Sequence, residues 1–298
     1  MSAPERWLVI GASGRLGREL CDALRGRGHI VAAPSRGRLD VTDGAAVARY
    51  LSDWAPDITV NCAAWTRVDD AERHEAEALR INAEAPRYLA RACRATRSRL
   101  FHLSTDAVFS PAAGHPPRPF PEDHPPAPVN AYGRSKHAGE RAVLEELPHR
   151  STVVRTAWLY GRHGSSFVRT MLRHAAGQGT VRVAHDQYGQ PTSATDVLCA
   201  LLALADAPPA RTTGVFHATC LGSTTWYGLA REVFRLAGAD PDRVEPVTTA
   251  SLGRPAPRPA WSVLGHDRWR ELGVLPVRPW AEALAAFCRT EVSACCGH

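Results

Sequence analysis

Lysine is nearly missing. The 298-residue chain holds 36 lysine and arginine side chains together, and Lys136 is the only lysine among them. An Arg-, Ala- and Pro-rich composition explains arginine wherever a surface charge suffices, so the one position that keeps a primary amine stands out. An ammonium is a compact charge with three rotatable donors and a tunable pKa, whereas a guanidinium is a wide, fixed fork. Long apolar runs are missing too, which excludes a bilayer-spanning segment. The N-terminal MSAPERWLVIGASG carries an acid and passes directly into an apolar run and glycines, so no signal peptide and a cytoplasmic location are expected. Basic runs and aromatic-basic stripes are absent, and the net charge of +6 therefore does not point to nucleic acid. The eight cysteines include no C-x-x-C and read as free thiols, several of them buried. Cys295-Cys296-Gly297-His298 reads as a frayed tail rather than a metal site.

What is present alternates. RWLVI (6–10) is a short apolar run ending at glycines. Residues 14–25 carry Leu16, Leu20 and Leu24 at helical spacing. Further strands are expected at 29–33, 57–64, 99–105 and 152–160. Helices are expected at 45–54, 71–95 with an interruption near Pro86, and 132–147. Strands alternating with helices at this pitch give βαβ units and a parallel sheet. The second half is less regular, with helices at 166–176, 196–205, 225–237 and 279–288 and strands at 214–219 and 244–249. A Pro-rich loop over 110–129 is long enough to suggest a functional role.

Gly11, Gly14 and Gly17 form G-x-x-G-x-x-G between the first strand and the first helix. In that context glycines allow a tight turn and close backbone approach, and the helix N-terminus attracts a pyrophosphate. The fold class read from these features is α/β: a Rossmann-type doubly wound parallel sheet over 1–160, with about 181–220 returning to it. A smaller, mostly C-terminal substrate-binding domain is expected over 161–180 and 221–298. Near the end of the second strand, where an acid would hold an adenosine ribose, stand Ser35 and Arg36. Both suit a 2′-phosphate, so NADPH is favoured, with NADH left open. Asp40 and Val41 are placed beside the adenine. A mildly basic surface suits such a phosphorylated cofactor and a nucleotide-linked substrate.

Tyr132 and Lys136 lie one helical turn apart on one face. An ammonium near a phenol favours the phenolate, so Lys136 is expected to lower the Tyr132 pKa. The tyrosine then exchanges a proton with a carbonyl or carbinol oxygen. LSTDAVF (103–109) ends a strand and supplies Thr105 and Asp106 at the strand end, where ligands bind in such sheets.

With these residues assembled, the chain resembles the extended short-chain dehydrogenase/reductases, and among them the dTDP-4-dehydrorhamnose reductase family. The resemblance runs from about residue 7 to 287. It rests on LDVTD (39–43), VNCAAWTRVDDAE (60–72), IN (81–82), LSTDAVF, AYGRSKHAGE (131–140), VVRTAWLYG (153–161), FVRTML (167–172), DQYGQPT (186–192), WYGLAREVF (226–234) and RPAWSVL (258–264). It implies NADPH at Gly11, Ser13, Gly14, Arg15, Leu16, Gly17 and the strand end Cys62, Ala63 and Ala64. It further implies Lys136 on the nicotinamide ribose, Tyr132 as proton donor to the C4 oxygen of a dTDP-4-keto-6-deoxyhexose, and Thr105 bonded to that oxygen. Asp106 and Trp158 border the sugar. The expected partner is this dTDP-sugar, with no nucleic acid and no membrane, for a monomer or homodimer. Some family members dimerise through a metal held by glutamates, one in the glycine loop; Arg15 stands there, so no structural metal is expected.

Three positions depart from the family pattern. Ala107 stands where tyrosine is usual, Ser166 where asparagine precedes phenylalanine, and Trp261 where asparagine is common. All three are expected near the sugar or nucleotide, which leaves open a deoxysugar other than rhamnose, as in antibiotic glycosylation. Two other readings stand beside reduction. One is a sugar-nucleotide epimerase or dehydratase, although Ala107 occupies the place of a dehydratase acid. The other is a non-catalytic NADP-binding regulatory subunit, against which the intact Thr105, Tyr132 and Lys136 argue.

Overall fold

The computed structural model describes residues 4–110, 118–274 and 277–295. Part of the Pro-rich loop and the Cys296–His298 end of the tail lie outside the described residues. Strands β1 (Arg6–Ile10), β2 (Ile30–Ala32), β3 (Ile58–Asn61), β4 (Arg99–Thr105) and β5 (Ser151–Thr156) come first. The short β6 (Leu159–Tyr160), β7 (Val181–Ala184), β8 (Tyr188–Gly189) and β9 (Thr192–Ser193) precede β10 (Gly214–His217), then β11 (Thr224–Thr225) and β12 (Val244–Val247). Six of them form one all-parallel sheet in the order β10-β5-β4-β3-β1-β2. The order reverses between β1 and β3, and ligands bind at such a switch point, outside the carboxyl ends of the strands.

Alternation along β1 builds the two faces. Trp7 and Val9 turn to one side, where α1 (Arg15–Gly26) packs with a later helix (Ala194–Asp206). Leu8 and Ile10 turn to the other, toward α2 (Gly44–Trp54). Burying each such side chain contributes about 1.5–3 kcal/mol. The expected helix over 71–95 is three pieces: α3 (Val68–Ala71), α4 (Glu75–Leu79) and α5 (Ala85–Thr96). A π-helical turn, Arg80–Glu84, joins α4 to α5 without a break, and Pro86 follows directly after it at the start of α5.

The expected strand 152–160 is also interrupted. β5 stops at Thr156, and Trp158 adopts a left-handed φ of 43° before β6 resumes. Helices α6 (Ala131–Glu146), α7 (Phe167–Ala176), α8 (Ala194–Asp206), the short α9 (Pro209–Thr212) and α10 (Trp226–Leu236) follow, then α11 (Asp267–Leu272) and α12 (Trp280–Cys295). The chain rejoins the sheet through α8, which packs on α1, and β10, which pairs with β5. β7 pairs instead with β12 away from the sheet, and a separate core joins α7, α10 and α12 through Met171, Val233, Phe234 and Leu284. Residues 181–184 therefore lie with the C-terminal elements. Among the described residues no helix is long and apolar enough to cross a membrane. Cys21, Cys93, Cys220 and Cys288 are buried and free.

Candidate active site

Two cavities meet at the carboxyl end of the sheet. The first, of about 700 Å³, is lined by the glycine turn after β1, the segment after β2 and the end of β3. Gly11 has φ +76°, and a Cβ there would sit 2.6 Å from the Ala63 nitrogen. A Cβ on Gly17 would fall 2.4 Å from the Gly11 carbonyl oxygen. Both glycines are thus demanded by close approach, and the turn presents the start of α1 to the cavity. Gly11, Ser13, Gly14, Ser35, Arg36, Asp40, Val41, Cys62, Ala63 and Ala64 line this space. Thr42 donates to Asp40 from its backbone and its hydroxyl, at 2.9 and 2.7 Å, which holds that carboxyl below its ordinary range.

The second cavity, of about 880 Å³, shares Ser13, Gly14, Arg18, Cys62 and Ala64 with the first. Arg15, Leu16, Gly17, Thr105, Asp106, Tyr132, Lys136 and Trp158 line it. The Arg15 guanidinium donates to the carbonyls of Leu159, His163 and Ser165, so it ties the glycine turn to the loop between β6 and α7. Burial pulls its pKa down.

Helix α6 sets the reactive groups. Asn130 caps it by accepting from the Gly133 amide at 2.8 Å, and Glu72 accepts from the Ala131 amide at 2.8 Å. Tyr132, Lys136 and Glu140 then follow at helical spacing. Lys136 is 2% exposed, and its ammonium donates to the Leu103 carbonyl of β4 at 2.7 Å. Burial drives its pKa down to about 8, against the pull of nearby Glu140. Burial alone would raise Glu140, but the Arg155 fork, at 2.8 and 2.7 Å, holds it at about 2.

Tyr132 departs from expectation. Burial pushes its phenol up to about 12, although the Thr105 hydroxyl pulls it down. Loss of water outweighs any help from Lys136, whose ammonium is turned to the Leu103 carbonyl, so the group stays a phenol at neutral pH. Thr105 donates to Asp106 at 3.2 Å and accepts from the Ala107 amide. Asp106 is buried and its pKa is raised to about 6, chiefly by desolvation.

Trp158 stacks face to face on Trp226, with ring centroids 3.6 Å apart, and both border the second cavity. Of the three unusual positions, Ala107 lines this cavity but Ser166 and Trp261 line neither. Ser166 caps α7 by accepting from the Arg169 amide, and Trp261 donates to the Arg118 carbonyl beside Tyr188.

The structure brings in residues to which the sequence assigned no role. Asn82, fully buried in the π turn, bonds both backbone groups of Trp65 and the Ser135 hydroxyl, joining the cofactor-side loop to α6. Ser262 donates to Asp106. Their only signal was membership of the IN and RPAWSVL stretches. No cluster of three or more His, Cys, Asp or Glu side chains suits a metal among the described residues.

Known proteins resemble this chain over most of its length. The profile of the RmlD substrate binding domain matches residues 5–292. The chain is 53% identical to a dTDP-4-dehydrorhamnose reductase of Streptomyces griseus, over 94% of this chain and 91% of that one. It is 49% identical to a dTDP-4-keto-6-deoxy-D-glucose reductase of Streptomyces niveus, over 94% and 95%. A crystal structure of dTDP-4-dehydrorhamnose reductase from Bacillus anthracis in complex with NADP superposes with a TM-score of 0.90 at 35% identity, covering 96% of this chain and 99% of that one.

Proposed function

The chain belongs to the dTDP-4-dehydrorhamnose reductase family, and from that premise we propose that it reduces the C4 ketone of a dTDP-4-keto-6-deoxyhexose at the junction of the two cavities. The observation that carries this reading is the seam itself. The glycine turn and the end of β3 line both spaces, and Thr105, Tyr132 and Lys136 stand just beyond it.

NADPH is the cofactor, and the first cavity suits it. The cradle left by Gly11 and Gly17 admits a pyrophosphate against the start of α1, and Ser35 with Arg36 offers donors for a 2′-phosphate. When bound, NADPH supplies the hydride. In this reading Tyr132 donates its proton to the C4 oxygen as charge develops there. A phenol held near 12 remains protonated at working pH and is still acidic enough to protonate an alkoxide. Lys136 keeps an ammonium on the cofactor side, braced by Leu103. Thr105 holds the reacting oxygen, and Asp106 and Trp158 border the sugar.

The sheet with α1, α2, α5, α6 and α8 acts as the cofactor unit, and the elements around α7, α10 and α12 as the substrate unit. The reaction runs in the cytoplasm, in a monomer or homodimer. Ala107 leaves room where the family carries an aromatic ring, which favours a deoxysugar with altered substituents, of the kind used in antibiotic glycosylation. The test is Tyr132→Phe: kcat falls by at least roughly a hundredfold while the NADPH Kd barely changes. Near-normal turnover in that variant overturns the assignment.

A further inference from the structure

Asp106 is held from two sides of the molecule. One carboxylate oxygen accepts from Thr105, its neighbour, at 3.2 Å. The other accepts from the Ser262 hydroxyl at 2.5 Å, a contact spanning 156 positions of sequence. Ser262 is 3% exposed, and its segment is sewn into place by backbone bonds. The Ser262 amide donates to the Tyr188 carbonyl at 3.0 Å, and Tyr188 donates to Ala260 at 2.8 Å. Phe120 donates to Val263, and Gly265 donates back to Phe120. Gln190 accepts from the Leu264 amide at 2.7 Å. The hydroxyl therefore reaches Asp106 from a fixed support.

The consequence passes through Thr105. Its one proton can go to Asp106 or turn to the reacting oxygen, while its own oxygen accepts from the Ala107 amide, so where the hydroxyl stands between the two depends on where the carboxylate stands. A carboxylate tied only to its neighbour and its own turn would swing, and the hydroxyl beside Tyr132 would swing with it. Hydrogen bonds to a charged group are also the stronger kind.

We propose that Ser262 is a positioning residue for the reduction: it fixes the Asp106 carboxylate, which in turn aims Thr105, so that segment 258–265 completes the reaction site. The proposal rests on the functional reading above. Ser262 acts through Asp106 and takes no part in proton or hydride transfer.

The test uses the full chain labelled with ¹³C-carboxyl aspartate, with Asp106→Asn assigning the signal. Tyr132 and Lys136 from α6 and Arg258 from the same segment line the cavity with Asp106, and all three are retained in each variant. The wild-type carboxyl titrates near 6. Ser262→Ala removes a donor that favours the charged form, so its midpoint moves upward, while Ser262→Thr restores it. In turnover, Ser262→Ala lowers kcat by roughly tenfold or more with the KM for NADPH unchanged, and it has no further effect in the Asp106→Asn background. Should Ser262→Ala fail to fold, Ser262→Cys keeps the volume with only a weak donor and gives the same upward shift. An unmoved midpoint in a folded variant, or an equal kcat loss with and without Asp106, overturns the proposal. Full activity in Asp106→Asn overturns the functional reading of the cavity, and this proposal with it.

Discussion

The Lys136 ammonium donates to the Leu103 carbonyl at 2.7 Å, so the only lysine of the chain is fastened to the strand that carries Thr105. The contact is a single point, made by a buried side chain at the wall of the second cavity. Lys136→Arg keeps the charge but brings a fork too wide for that acceptor. Its kcat should drop by roughly a hundredfold or more, with weaker NADPH binding. Steady-state kinetics and a cofactor titration check this, and a fully active variant would refute the role given to the lysine.

The pH dependence follows from the same residue. Lys136 titrates at about 8 in the folded chain against an ordinary 10.5. Between those values the unfolded chain holds a proton that the folded chain has released, so this group's contribution to stability rises as pH climbs from 8 toward 10.5. Activity moves the opposite way, because the ammonium is lost. The alkaline limb of kcat/KM should fall near 8, and Tyr132, at about 12, should add nothing in that range. A pH–rate profile checks it. The limb should vanish in Lys136→Met, whose residual activity should be low and flat.

Glu140 and Arg155 form a bidentate pair in which both side chains are at most 3% exposed. Glu140→Gln leaves a buried guanidinium without its counter-charge and should cost about 3–5 kcal/mol in denaturant unfolding. Glu140 sits at about 2 rather than 4.5, so its contribution is complete above 4.5 and is lost as pH falls toward 2. The difference between wild type and variant should shrink across that window.

Gly17→Val places a side chain against the Gly11 carbonyl, where even a Cβ would stand 2.4 Å away. The turn must open, and NADPH affinity should fall by at least roughly tenfold. Fluorescence titration of NADPH checks this. Unchanged affinity would mean that the turn is not the pyrophosphate site.

Sequence patterns revealed the sheet wherever one local signal sufficed. β1 carries a continuous apolar run that ends at the glycine turn, and α6 carries Tyr132 and Lys136 at fixed spacing. The patterns failed where a distant partner decides. The strand expected over 152–160 breaks because Trp158 turns to stack on Trp226, far along the chain. β7 takes its form from pairing with β12. Ser166 and Trp261 aligned with sugar-side positions but serve as a helix cap and a surface contact. The rise of the Tyr132 pKa was hidden for a related reason, since a motif shows the nearby ammonium and not the loss of water.

The most direct test of the central claim is transfer of label. NADPH carrying deuterium stereospecifically at C4 of the nicotinamide is incubated with dTDP-4-keto-6-deoxyglucose, with and without the 3,5-epimerase that makes the L-sugar, and the product is read by NMR. The account predicts stoichiometric NADPH oxidation and deuterium bonded to C4 of the new alcohol, from one of the two labelled cofactors. NADPH oxidised with the label lost to water or found elsewhere on the ring would contradict it, whereas NADPH bound but consumed by neither sugar would mean that the pocket opened at Ala107 takes a differently substituted 4-keto deoxysugar.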